Sequence, residues 1–66
     1  MTRAEALERV RAPEFALSRR QIAEQVYLKL LLDRFDEVQD LAKAARAAVT
    51  AAEELLAAVH FPGAES

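Results

Sequence analysis

The chain is expected to be all-α: a short N-terminal helix folded back on a long C-terminal helix, a helical hairpin that assembles into a coiled-coil-like homodimer or bundle. Three observations predict this. Ala, Leu, Glu, Arg and Lys dominate the 66 residues, a helix-forming composition. Between Ser18 and Phe61 there is no Gly and no Pro to interrupt a helix. From Leu28 onward the apolar residues step by three and then four, a seven-residue repeat of the kind that forms a coiled-coil seam.

The first element opens at Thr2. Thr2 followed by Glu5 fits a capping box, in which each side chain bonds the other's backbone N–H. A helix of about residues 3–11 follows, with Ala6, Leu7 and Val10 on one face. Pro13 ends it, because the residue before a proline is pushed out of the helical region. Residues 12–17 form the bend, with Phe15 and Leu17 expected to turn inward.

Ser18 followed by Gln21 repeats the capping-box pattern and starts the second element. One continuous helix is expected over about residues 19–60, roughly 60 Å long. Its only candidate break is Asp33-Arg34-Phe35-Asp36, where either Asp could cap a new helix but no turn former is present. His60-Phe61-Pro62-Gly63 stops it, with His60 placed to interact with the helix dipole. Residues 61–66 are a tail, and the whole of 1–66 is a single domain.

The seam runs through Leu28, Phe35, Ala42, Val49 and Leu56 at one heptad position and Leu31, Val38, Ala45, Ala52 and Val59 at the other. Leu41, Ala48 and Leu55 flank it and widen the stripe beyond what two strands need. The residues expected to carry self-association are Leu28, Leu31, Phe35, Val38, Leu41, Val49, Leu55, Leu56 and Val59. Nine of the seventeen residues from Ala42 to Ala58 are Ala, which lets helix axes approach closely, with an Ala-rich half meeting a bulkier half. Between Ile22 and Leu32 the apolar residues surround the helix, so it needs cover on more than one side. The N-terminal helix, similar in length to the stretch from Gln21 to Leu30, is expected to supply part of that cover.

Composition also limits function. A chain this short is marginal alone and leans on disulfides, a metal or association. It has no Cys and a single His, so disulfides and the familiar zinc spacings are excluded. The net charge of −2 argues against a general nucleic-acid or anionic-membrane binder. No apolar run reaches the roughly 20 residues a membrane span needs, and a cytoplasmic location is expected. No nucleophile–base constellation or Gly-rich phosphate loop is legible, so neither enzyme activity, nor a cofactor, nor a small-molecule substrate is expected.

The partner reading is therefore a non-enzymatic interaction module, an adaptor, co-chaperone or inhibitor, that binds itself and another protein. Asp33, Asp36, Glu37 and Asp40 share a helix face and could dock on a basic partner. The alternative is a small dimeric DNA-binding regulator. Ser18-Arg19-Arg20-Gln21 resembles the opening of a helix-turn-helix, and Arg9, Arg11, Arg19 and Arg20 flank the Pro13 bend. Against it, the segment after Gln25 is apolar, lacks a turn former and offers no polar residues to base edges.

Overall fold

The computed structural model describes residues 1–33 and 41–64. Three α-helices appear in this order: α1 (Arg3–Val10), α2 (Ala16–Asp33) and α3 (Leu41–His60), with a 3-10 turn at Pro13–Phe15 before α2. Among the described residues there is no β-strand, and the all-helical class is as the composition indicates.

Helix α1 begins as its sequence dictates. The Thr2 hydroxyl accepts from the Glu5 N–H at 3.2 Å, and the Thr2 N–H donates to the Glu5 carboxylate at 3.1 Å. Both arms of the capping box are formed. At the other end Arg11 and Ala12 N–H groups bond back three residues, to Glu8 and Arg9, so the last turn tightens before Pro13. Ala12 is extended, at φ −63° and ψ 153°, the conformation a following proline imposes.

The Ser18 cap does not form, because helical geometry starts earlier. Pro13 takes the first position of the 3-10 turn, Phe15 N–H bonds the Ala12 carbonyl at 3.0 Å, and Ala16 is already helical at φ −56° and ψ −46°. Ser18 therefore lies exposed inside α2. Phe15 is half-buried as expected, whereas Leu17 is 65% exposed and does not turn inward.

The continuous helix over residues 19–60 is also not what forms. Helix α2 is described as far as Asp33, the rest of the candidate break lies outside the described residues, and α3 lies alongside α2. The two run antiparallel: the Phe15 ring, just before α2, meets the His60 ring at the end of α3 edge-to-face with centroids 5.0 Å apart. The physical reason is burial. Extended, the chain would leave α2 uncovered on every side. Folded back, it brings α2 against the small-residue stripe of α3, where Ala44, Ala48 and Ala52 recur at every fourth residue and are buried. Close pairing of an Ala-rich half with a bulkier half thus occurs within one chain.

Helix α1 packs on α3 rather than along α2 from Gln21 to Leu30. Ala6 and Val10 join Leu56 and Ala57 in the core, with Leu7, Phe15, Ile22 and Phe61 around them. Arg3 and Arg11, about 12 Å apart along α1, reach adjacent residues of α3, Glu54 and Glu53. Helix α1 therefore crosses α3 and covers only its C-terminal half. Helix α3 then stops at His60, and a turn closed by the Ala64 N–H on the Phe61 carbonyl at 3.0 Å carries Pro62 and Gly63. The resulting body is elongated, 40 × 23 × 16 Å, with a radius of gyration of 12.9 Å. A rounded domain of this length has about 11 Å.

Candidate functional site

Three of the four arginines that could have met nucleic acid, Arg11, Arg19 and Arg20, are drawn into the chain's own contacts. Arg11 grips Glu53 of α3 with a two-pronged fork, Nε to Oε2 at 2.9 Å and a terminal nitrogen to Oε1 at 3.1 Å. Arg19 is half-buried and donates from one nitrogen to the Val10 and Ala12 carbonyls at 2.5 and 2.7 Å. Arg20 pairs with Glu24 at 2.9 Å, one helical turn on. Arg9 is exposed, and its charge helps to lower the Glu5 carboxyl four residues before it. Arg3 adds a pair with Glu54. The hydrogen-bonded partners of Arg3 and Arg11 thus come from α3, more than forty residues away in sequence.

Two carboxyls in this region sit below the ordinary carboxylate range. Glu5 is lowered chiefly by the Thr2 backbone N–H and next by the Thr2 side chain. Glu54 is lowered chiefly by its hydrogen bond from Arg3 and then by the Arg3 charge. Both act as fasteners of α1.

Of the acidic quartet, Asp33 is exposed and lies 3.8 Å from Lys29. Asp36, Glu37 and Asp40 lie outside the described residues, as do Phe35 and Val38 of the expected seam. Among the described residues no group of acidic, His or Cys side chains is placed to hold a metal ion. No helix among them is long and apolar enough to cross a membrane.

The rest of the expected seam divides in two. Leu56 is buried against α1 within the chain and is not available to a second one. Leu31 is half-buried. Leu28, Leu41, Val49, Leu55 and Val59 are exposed, between 49% and 63%. The buried line on α3 is the every-fourth-residue row from Ala44 to Leu56, not the seven-residue repeat, because α2 packs along the row that lets the two backbones approach.

The most exposed large apolar side chain is one the heptad left out. Leu32 is 83% exposed. At about 100° per residue it shares a face of α2 with Leu28 and Leu17, each more than half exposed. That face points away from Ile22 and Val26, which turn toward the core. The signal was present in the all-round apolar character of residues 22–32, but a reading confined to one heptad register passes over it.

Two open hollows lie on the half of the α2/α3 pair that α1 does not reach. One, of about 200 Å³, is lined by Val26, Lys29, Leu30 and Asp33. The other, of about 340 Å³, is lined by Ala45, Arg46, Val49 and Thr50. Helices α2 and α3 therefore present exposed leucines and two shallow hollows on this half of the pair. Comparison with protein-family models, with curated proteins and with solved structures gave no match.

Proposed function

We propose that the chain is a non-enzymatic protein–protein interaction module whose docking surface is the α1-free half of the α2/α3 pair. The observation that supports this is the exposure of Leu28 and Leu32, at 58% and 83%, one helical turn apart on the same face of α2. Neighbouring large apolar side chains left open to solvent are what an association site presents. The module acts as an adaptor, co-chaperone or inhibitor by covering a helix of another protein, or by being covered. The DNA-regulator alternative is the weaker reading, because Arg11, Arg19 and Arg20 are all held by acceptors within the chain.

A photoreactive amino acid placed at Leu32 tests the proposal in living cells. A protein adduct, whether to a second copy or to another chain, is the expected result. Illumination that yields no protein adduct at Leu32, while circular dichroism of the same labelled protein shows its helix content intact, removes the reading.

A further inference from the structure

We infer that a second copy of this chain occupies the docking surface, each copy laying the outer face of its α2, at Leu28 and Leu32, against that of the other. This rests on the reading above and names its partner.

Area is the first argument. The chain exposes 5030 Å². A folded monomer of 7.3 kDa is expected to expose about 4,200 Å². The excess of about 850 Å², counted over the whole surface, is of the size that each partner contributes to a standard interface. The elongated shape has the same origin, since α1 covers one end of the pair and leaves the other two helices thick.

The internal core is the second argument. Among the described residues Val10 is the only large side chain that is wholly buried, and no residue of α2 is fully buried. The C-terminal half of α2 carries Val26, Leu28, Leu30, Leu31 and Leu32, yet it leaves Leu28 and Leu32 open to solvent. A core this thin leaves a lone chain marginal, and with no Cys to cross-link it the remaining support is association.

Self-complementarity is the third. A two-fold pairing needs one patch that fits itself. The outer face of α2 offers this, because Leu28 and Leu32 are exposed one turn apart and the exposed Gln21 and Gln25 continue the same face toward the N-terminus. Two such faces lying antiparallel meet over the same turns of both helices. Each α1 then sits at an outer end of the pair, clear of the shared face.

The test is light scattering after size exclusion on the full chain, with circular dichroism on the same peak. A helical species of two-chain mass that becomes one-chain mass in Leu28→Glu/Leu32→Glu, with helix content retained, is expected. Should that double variant lose helix, Leu32→Lys alone, at a position open to solvent in the single chain, is expected to weaken association about tenfold or more. A one-chain mass for the unaltered protein at high micromolar concentration overturns the inference. So does a two-chain mass that both variants leave intact, which would place the contact elsewhere. An adduct at Leu32 to a different protein, together with a one-chain mass, overturns the second copy as occupant but leaves the interaction reading standing. Absence of any adduct removes both.

Discussion

Arg19, in the first turn of α2, caps the end of α1 by donating to the Val10 carbonyl at 2.5 Å and, from the same nitrogen, to that of Ala12 at 2.7 Å. These carbonyls sit where a helix has run out of its own N–H donors. One side chain from the next helix therefore closes the Pro13 bend and fixes the angle at which the two helices meet. Arg19→Ala is expected to lower stability by about 1.5 kcal/mol, the usual contribution of a hydrogen bond to a charged group. Arg19→Lys should recover part of that loss, since an ammonium reaches one carbonyl but does not span both. Urea unfolding of the three proteins measures it, and an alanine variant as stable as the parent would show that water replaces the guanidinium at no cost.

Val10 is fully buried between α1 and the Leu56–Ala57 end of α3. Val10→Ala removes two methyl-sized groups from the tightest part of the core and is expected to cost about 2 kcal/mol. In so small a domain that is a large share of the total. Thermal melts should show it plainly. Val59→Ala, at an exposed site in the single chain, serves as the comparison, and equal losses at both positions would contradict the assignment of the core.

The alanine row on α3 sets how closely α2 approaches. Ala48 and Ala52 are 1% and 0% exposed, so Ala48→Leu has no room and is expected to cost about 1–3 kcal/mol by overpacking. Ala47→Leu, on the exposed side of the same turn, should be close to neutral. Reversal of this order in a denaturant titration would mean that α2 packs on a different face of α3.

Acid should release α1 first. Folding lowers the carboxyls of Glu5 and Glu54 relative to their free values. Each therefore contributes stability that is fully present above the ordinary carboxylate value, about pH 4.3, and is lost as pH falls through the lower folded value. Both groups are at the surface, so the effect is modest and screened by salt. NMR signals of residues 3–10 should shift toward random coil below about pH 4 before those of α3 do. Simultaneous loss of α1 and α3 would show that the two fasteners are not separable from the rest of the fold.

Much of the local structure is readable in the chain itself. Thr2 and Glu5 specify the start of α1 because the capping box is a contact between residues three apart. Pro13 specifies its end, and His60 to Gly63 the end of α3, because proline removes a donor and restricts its neighbour whatever the surroundings. The Ala-rich stretch announces close helix pairing for the same reason: side-chain size is a property of the sequence.

What the sequence could not settle is which surfaces meet. Helix propensity favours an unbroken run from Ala16 to His60, yet α2 and α3 lie side by side, because burying the alanine row against α2 outweighs local preference. Of the seven-residue repeat, the hairpin uses Ala52 and Leu56 internally, together with Ala44 and Ala48, and turns Leu28 outward along with Leu32. Arg11 with Glu53, and Arg19 with Val10, depend on how α1 crosses α3 and meets α2, and no spacing in the chain encodes a crossing. Short-range chemistry determined where α1 begins and where α1 and α3 stop. The competition among apolar faces for cover, which only the assembled chain resolves, decided which of them remain exposed.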